Sequence, residues 1–381
     1  SYLADFYYPL SVGAYRIPAP RPDADGTQTR ISTYNYLVEN TLNYDFRIQK
    51  HSFDVLIGHT FQKERINLNK TTGTGYADDN IQNIAGASAT RSVPKIDMWT
   101  LESFLSRIQY DYDAKYLVSL ALRRDGSSRF GENNRWGNFP SASVGWVMSK
   151  ENFFPENDFL NFAKLALSWG KTGNNQIGNY SSYALVTNVN DYTKYNYDYL
   201  NGSTVAPGYI TSTSSNPNLG WEIANAQNIG LDLGFLKNRL NLSLAYYKTN
   251  TKGLLLKVPV PAQSGYSEAL AYVGEMENKG FEAQLSGNNF MIGKVAIGFN
   301  ANATRNNNKV LALGPGQNKI ATGVDQNFVT KVGGSIAEIY AYTIDGVYKT
   351  QAEIDNSPHL DGTLTGDYRV IDVNNDGKIN E

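Results

Sequence analysis

The segment YLVSLAL, residues 116–122, divides into two sets of side chains. Side chains on a β-strand have a period of two, so alternate residues point to opposite faces. One face carries Tyr116, Val118, Leu120 and Leu122, and the other carries Leu117, Ser119 and Ala121. The first face can therefore meet lipid while the second meets water.

The same two-faced pattern recurs along the chain and predicts ten strands. Repetition, rather than any single segment, supports this interpretation. The strands are predicted at Tyr34 to Arg47, His51 to Lys63, Thr100 to Asp111, Lys115 to Arg124, Ser141 to Ser149, Ala163 to Gly170, Ile223 to Phe235, Arg239 to Thr249, Gly280 to Gly287 and Lys294 to Asn302.

The connections between these strands alternate between short and long. Short joints rich in turn formers are typical of the periplasmic side of an outer-membrane barrel, and long polar segments are typical of its extracellular side. The predicted periplasmic joints are 48–50, 112–114, 236–238, 288–293 and the longer 150–162. The predicted extracellular loops are 64–99, 125–140, 171–222 and 250–279, and residues 303–381 are predicted to form a long extracellular loop region.

Strand length agrees with a membrane-spanning role. Ten residues at about 3.3 Å each, tilted by roughly 40°, cover about 25 Å, which is the height of the apolar band of such barrels. The sequence therefore predicts an all-β fold, a transmembrane antiparallel β-barrel. We expect Arg107, Lys164 and Lys294 to lie inward or at a rim, because basic side chains on the lipid face are costly.

Ten strands with open edges cannot survive in hydrocarbon, because each unpaired backbone group there costs several kcal/mol. We therefore expect further strands elsewhere in the molecule. The start SYLAD, residues 1–5, has neither the charged nor the apolar region of a signal peptide, so we expect a partial chain.

Two other classes of protein remain open from the pattern alone. An extracellular carbohydrate-binding β-sandwich or lectin-like module would bury the aromatic faces in a dry core, and an enzyme such as a glycosidase is a more distant hypothesis. We find no catalytic constellation: the chain has no phosphate-binding Gly-rich loop and no serine elbow, and the adjacent Asp78 and Asp79 would point apart on a strand.

Composition excludes several functions. The 34 basic residues are balanced by 36 acidic ones and are spread along the chain, so nucleic-acid binding is not expected. The chain has no Cys, which rules out disulfides and thiolate sites. No run approaches the ~18 apolar residues of a membrane-spanning helix.

A series of short motifs resembles the SusC/RagA-type TonB-dependent transporters of the Gram-negative outer membrane. Their order and spacing match that family along most of the chain. The motifs are RRDGSSRFG at 123–131, NRWGNFPS at 134–141, LSWGKTGN at 167–174, NPNLGWE at 216–222, GLDLGFL at 230–236, NKGFE at 278–282, GDYR at 366–369 and DVNNDGKI at 372–379.

The resemblance implies that residues 1–381 are part of a barrel of about 22 strands. It also implies a plug domain and a TonB box outside this chain, an outer-membrane location in contact with lipid, and no enzymatic activity. A substrate, either an oligosaccharide or a peptide, would be captured under a SusD-like surface lipoprotein and imported with energy supplied through TonB.

The first of these motifs has a structural interpretation. Gly126 would permit a tight reversal, and charge-assisted bonds would form within the loop. The residues concerned are Arg123, Arg124, Asp125, Gly126 and Arg129. We favour this fold role over ligand contact.

The last motif resembles the first half of a calcium loop. Asp372, Asn374 and Asp376 supply oxygens at positions one, three and five, Gly377 follows, and Lys378 would offer its carbonyl at position seven. The alternative is an Asx-rich turn without metal. The sequence thus raises calcium as a cofactor.

A tyrosine-rich stretch in the predicted loop 171–222 is a candidate substrate-binding site. Its aromatic rings would stack on sugar faces or pack against a peptide, and its amide and carboxylate would donate and accept hydrogen bonds. The candidate residues are Tyr192, Tyr195, Asn196, Tyr197, Asp198 and Tyr199. Packing between loops and contact with the lipoprotein lid are alternative roles.

Overall fold

The fold was determined as a computed structural model. It describes residues 2–9, 24–155, 157–188, 196–199, 204–207, 209–211, 213–259, 263, 268–322 and 327–379. No helix in these ranges is long and apolar enough to span a lipid bilayer.

Eleven long strands form one antiparallel sheet in the order β1-β2-β3-β4-β5-β6-β7-β12-β13-β14-β15. Their bounds are β1 Tyr2–Tyr8, β2 Asp25–Ile48, β3 His51–Tyr76, β4 Ala87–Tyr112, β5 Tyr116–Ser127, β6 Trp136–Val147, β7 Leu160–Asn174, β12 Glu222–Phe235, β13 Leu240–Pro259, β14 Glu268–Ile292 and β15 Val295–Ala312. Each strand pairs with its neighbour in the chain, apart from the step from β7 to β12, so the sheet is an up-and-down meander.

Short elements lie between the long strands and in the segment after β15. The strands are β8 Val186–Asn188, β9 Asn196–Tyr199, β10 Thr204–Pro207, β11 Tyr209–Thr211, β16 Lys319–Thr322, β17 Phe328–Lys331, β18 Glu338–Ile339, β19 Ile344–Val347 and β20 Tyr368–Val370; the helix α1 is Gln351–Asp355; and 3₁₀ turns lie at Ile84–Gly86 and Met148–Lys150. They form two-stranded and three-stranded sheets, with β9 on β10, β8 on β11, β19 on β20, and β17 between β16 and β18.

All ten predicted strands are present in the main sheet, and the structure adds β1 to that sheet. The sequence YLADFYY of β1 has apolar residues at both odd and even positions, so it lacks the period-two signal. Strand β1 pairs only with residues 25–31 of β2. Residues 32–48 of β2 thus have a strand neighbour only on the β3 side among the described residues.

The predicted loops were wrong in extent, because several strands continue far beyond the apolar segments. The hairpin of β3 and β4 extends to Tyr76 and Ala87, and that of β13 and β14 extends to Pro259 and Glu268. Residues 303–312 of the predicted loop region 303–381 also continue strand β15. Above the apolar band both faces are wet, so the backbone ladder persists while the hydrophobic pattern ends.

The turns at the opposite end are short, as predicted. Left-handed residues make them tight: Gln49 has φ 55°, Asp113 φ 54°, Lys237 φ 58° and Gly293 φ 62°. Asn288 is still paired to the chain before β13, through its N–H to the carbonyl of Arg239. The last joint is shorter than the predicted 288–293, because Ile292 of β14 still pairs with Val295 of β15.

A compact apolar cluster lies where the loops above β5, β6 and β12 meet. Phe130, Phe139 and Trp221 are buried, and Phe130 has no exposed surface. The Trp221 ring lies 4.8 Å from that of Phe130 and 5.1 Å from that of Phe139, and its indole N–H donates to the carbonyl of Arg135 at 3.1 Å. Three of the motifs quoted from the sequence thus pack together.

A carboxylate anchors the longer turn between β6 and β7. Glu151 accepts hydrogen bonds from the Tyr116 hydroxyl at 2.5 Å and the Trp146 indole at 3.0 Å, and an ion pair joins it to Lys115 at 3.1 Å. The Tyr116 hydroxyl is the main cause that lowers the pKa of Glu151 below its usual value, with Trp146 and Lys115 adding to the effect.

Replacing Phe130 by Ala is expected to lower the local free energy of unfolding of the loop cluster by about 3 to 5 kcal/mol, because it removes a fully buried ring. Hydrogen exchange of residues 126–137 and 219–223 in the full-length protein measures this loss. The control is Phe153→Ala, since Phe153 is 68% exposed. Equal exchange in the two variants would contradict the packing described.

Acid should weaken the Glu151 anchor. Because the folded-state pKa lies below the ordinary 4.5, the carboxylate stabilises the fold at neutral pH, and this stabilisation is lost as pH falls through the folded-state value. Heat-induced unfolding in detergent is expected to show a smaller loss of Tm between pH 7 and pH ~3.5 in Glu151→Gln than in the wild type. Glu132→Gln, at an exposed loop position, should behave as the wild type.

Candidate functional site

The strand register assigns every side chain of the main sheet to one of two faces. Leu120 of β5 lies opposite Ile108 of β4 and Ala142 of β6, whereas its neighbour Ser119 lies opposite Gln109 and Ser143. Residues that are directly opposite in a ladder share a face. The apolar row and the polar row are therefore on different sides of the sheet throughout.

One face is apolar and uncovered. Leu42 is 68% exposed, Ile57 57% and Leu120 53%, and the register places all three on this side. Single-layer sheets with such a face need an apolar surrounding, and a β-sandwich would have covered it. We call this side the outward face and the other the inward face.

The inward face is polar and forms a shallow recess near the short turns. Its lining residues on this face include Ser52, Asp54, Gln109, Asp111, Ser119, Ser143, Lys164 and Ser168. Arg107 pairs with Asp54 at 3.1 Å on this side, as expected for a basic residue in a spanning strand. Lys164 lies opposite Asp232, also inward, and Lys294 lies in the turn before β15. This wall can hydrogen-bond to water along its length.

Two residues of the RRDGSSRFG motif form an ion pair on strand β5, where the sequence predicted charge-assisted bonds within a loop. The Arg123 Nε atom lies 2.7 and 2.9 Å from the two carboxylate oxygens of Asp125, and its guanidinium also donates to the buried Ser103 hydroxyl at 3.1 Å. Both charged groups point inward near the upper end of β5.

Arg124 and Gly126 differ from the prediction. Strand β5 continues through Ser127, so Gly126 does not form a tight reversal. A Cβ atom at Gly126 would lie 2.8 Å from the Trp136 ring, so the glycine makes room for the indole. The Arg124 guanidinium lies over the same ring, 5.1 Å from its centre, instead of bonding within the loop.

Arg129 joins three parts of the rim. Its guanidinium lies 4.6 Å from the Trp99 ring centre, and it donates to the Asn179 side chain at 2.7 Å and to the Asn175 carbonyl at 3.1 Å. The Trp99 indole donates in turn to Glu64 at 2.9 Å. Burial lowers the pKa of Arg129. The sequence did not single out Trp99, Asn179 or Glu64, because all three fell in predicted loops.

The acidic loop after β20 is closed by its own side chains. The two carboxylate oxygens of Asp372 accept from the backbone N–H groups of Asp376 and Gly377 at 3.3 and 2.8 Å. Asn374 accepts from the Asp376 N–H at 2.9 Å, and Asp376 accepts from the Lys378 N–H at 2.8 Å. Within the described ranges, no three or more His, Cys, Asp or Glu residues are grouped so as to hold a metal ion.

The tyrosine-rich candidate site is described only in part. Asn196, Tyr197, Asp198 and Tyr199 form strand β9, which pairs antiparallel with β10. Tyr192 and Tyr195 lie outside the described residues.

Curated proteins with similar sequences are TonB-dependent receptors. The chain is 34% identical over 325 residues to TonB-dependent receptor P39 of Formosa agariphila, covering 84% of this chain and 30% of that protein. It is 30% identical over 335 residues to TonB-dependent receptor SusC of Bacteroides thetaiotaomicron, covering 82% and 32%. The chain thus spans about a third of the length of these relatives.

Solved structures agree with this assignment. A chain of the RagAB peptide transporter superposes with a TM-score of 0.74 at 27% identity, over 86% of this chain and 35% of that one. The 'open-open' state of the RagAB peptide importer gives a TM-score of 0.76 at 28% identity, over the same shares.

A family model described as "TonB dependent receptor-like, beta-barrel" matches residues 2–377. Proteins of this family are β-barrels of the Gram-negative outer membrane, so the outward face borders lipid and the short turns lie in the periplasm. The chain belongs to the TonB-dependent receptor β-barrel family.

Proposed function

We propose that the protein to which this chain belongs imports a large nutrient, an oligosaccharide or a peptide, across the outer membrane. In this proposal TonB supplies the energy and a SusD-like surface lipoprotein caps the transporter. The observation that carries it is the similarity to SusC and to RagAB, at 30% and 27% identity over more than four fifths of this chain.

The inward face supports the passage of a hydrated cargo. The wall formed by Ser119, Ser143 and Ser168 offers hydroxyl groups in one cross-strand row, and the ion pair of Arg107 with Asp54 borders it. Hydroxyl and charged groups can hydrogen-bond equally to water, to sugar hydroxyls and to peptide groups, so a cargo can replace water along this wall. No step of the proposal requires bond-making chemistry on the cargo.

The tyrosine-rich stretch is the part of the proposal that concerns binding. Tyr192, Tyr195, Tyr197 and Tyr199 would offer flat rings to a sugar face or a peptide side chain, and Asn196 and Asp198 would offer hydrogen bonds. Aromatic residues in outer loops give contact area at a small cost in conformational entropy, which suits capture at the cell surface.

Uptake by living cells tests the function. Cells that lack the gene should lose uptake of either a labelled oligosaccharide mixture or a labelled peptide mixture, and a protonophore should stop the same uptake in the wild type. The double variant Tyr197→Ala, Tyr199→Ala should reduce uptake roughly tenfold, at about 0.5 to 1.5 kcal/mol per ring. Tyr368→Ala is the control, since Tyr368 is an exposed tyrosine of β20. Unchanged uptake of both mixtures after gene deletion would overturn the proposal.

We further propose that the loop containing Asp372, Asn374, Asp376 and Lys378 binds calcium. The hydrogen bonds within the loop use one lone pair on each of several carboxylate and amide oxygens, and each such oxygen has another to offer to a cation. The left-handed Gly377, with φ 83°, provides the sharp turn that follows position five of calcium loops.

Cation binding to this loop is measured by the luminescence of terbium bound to the full-length protein, from which calcium displaces it. The variant Asp376→Asn is expected to weaken binding at least tenfold, because it removes a charged ligand. Asp361→Asn removes a charge from an exposed turn of the same region and should leave binding unchanged. Equal affinity in both variants would show that the loop is an Asx turn without metal.

A further inference from the structure

Basic side chains recur on the outward face of the sheet near its extracellular end. The register places each of them on the side that carries the apolar residues, with Arg124 opposite Phe104 and Arg305 opposite Phe281 as examples. The set is Lys63 of β3, Arg124 of β5, Lys171 of β7, Lys248 of β13, Lys279 of β14 and Arg305 of β15. We call these six residues the basic belt.

The belt lies towards the extracellular end of the membrane-spanning segments. Its members are roughly 8 to 13 residues from the periplasmic ends of their strands, which at about 3.3 Å per residue and a tilt of roughly 40° corresponds to about 20 to 33 Å. An apolar band about 25 Å high ends within this range. Lys and Arg are costly at the middle of the band and cheap at its edge, so the belt marks the outer interface.

The belt carries excess positive charge. Of the acidic residues on the same face, Glu277 is shared by Lys248 at 2.9 Å and Lys279 at 3.2 Å, and Glu102 pairs with His59 at 3.1 Å. Lys63, Lys171 and Arg305 pair with no carboxylate in the part of the chain that the structure describes. Arg124 has no carboxylate partner there either, so four cations face the outer interface without a counter-ion among the described residues.

The width of the basic belt indicates which kind of molecule neutralises its positive charge. Its members extend from β3 to β15, nine adjacent strands of the sheet, or roughly 40 Å at about 4.8 Å per strand. A protein partner would contact one compact patch, whereas lipid headgroups surround a barrel on all sides. Trp136, next to Arg124, adds an indole of the kind found at headgroup level.

We propose that the basic belt binds the phosphate groups of anionic glycolipids in the outer leaflet. Lys and Arg form charge-assisted hydrogen bonds with phosphate oxygens, and each basic residue near an anionic lipid surface changes affinity about fivefold. The bound lipids would form a fixed ring around the outer rim of this part of the barrel.

The test uses the full-length transporter in non-ionic detergent, titrated with monophosphorylated lipid A and observed by native mass spectrometry. The triple variant Lys63→Gln, Lys171→Gln, Arg305→Gln is expected to bind this lipid about 100-fold more weakly than the wild type. Lipid A from which the phosphate has been removed should bind wild type and variant equally. Inorganic phosphate at the same concentration should not displace the lipid, because it lacks acyl chains.

A matched triple variant, Lys150→Gln, Lys237→Gln, Lys294→Gln, removes the same charge from the periplasmic turns and should bind as the wild type does. Heat-modifiable migration in detergent gels verifies that each variant is folded. Equal affinity of the wild type and the belt variant for phosphorylated lipid A would overturn the proposal. So would loss of a co-purifying protein, rather than lipid, from the belt variant.

Discussion

The unbroken antiparallel ladder is the constraint on which the membrane-level structure depends. Strand β2 pairs each of its 24 residues with β3 without a shift in register. In hydrocarbon each unpaired backbone group costs several kcal/mol, so the ladder has to be continuous there. In the main sheet the register shifts lie at or beyond the limits of the apolar segments, at Gly234/Phe235, Lys252/Leu254 and Gly287/Phe290 among others. A one-residue slip in the middle would turn every apolar side chain inward.

The same constraint explains which parts of the fold the sequence predicts. Within the apolar band one face of each hydrogen-bonded strand carries a row of apolar side chains. The resulting period-two alternation predicts ten strands and the side of the sheet that Arg107 faces. Outside the band the ladder continues between two wet faces, as in residues 64–76 of β3, and no hydrophobic pattern marks it. Strand β1 was not predicted either, but for a different reason. Apolar residues occupy both its odd and its even positions, so its sequence shows no alternation.

The rim contacts could not be predicted, because they join residues far apart in the chain. Phe130 meets Trp221, and Arg129 meets both Trp99 and Asn179. The motifs indicated that these segments matter, but not that they pack on one another. Only the order of β4, β5, β7 and β12 in the sheet places their loops side by side. The ion pair of Arg123 with Asp125 joins residues two apart on strand β5, which share a face, whereas the sequence predicted a loop from residue 125 onward.

Two adjacent arginines at the extracellular end of β5 have different roles because their side chains point to opposite faces of the sheet. Arg123 points inward, where it neutralises Asp125 and bonds to the buried Ser103. Arg124 points outward, where Trp136 covers its guanidinium and no carboxylate of the rim lies within ion-pair distance in the described structure. Identical side chains thus serve the polar wall on one side and the lipid interface on the other. A one-residue slip of β5 would turn Arg123 and Asp125 together to the outward face and would break the bond of Arg123 to Ser103 of β4, so the inward position of this pair opposes such a slip together with the apolar row.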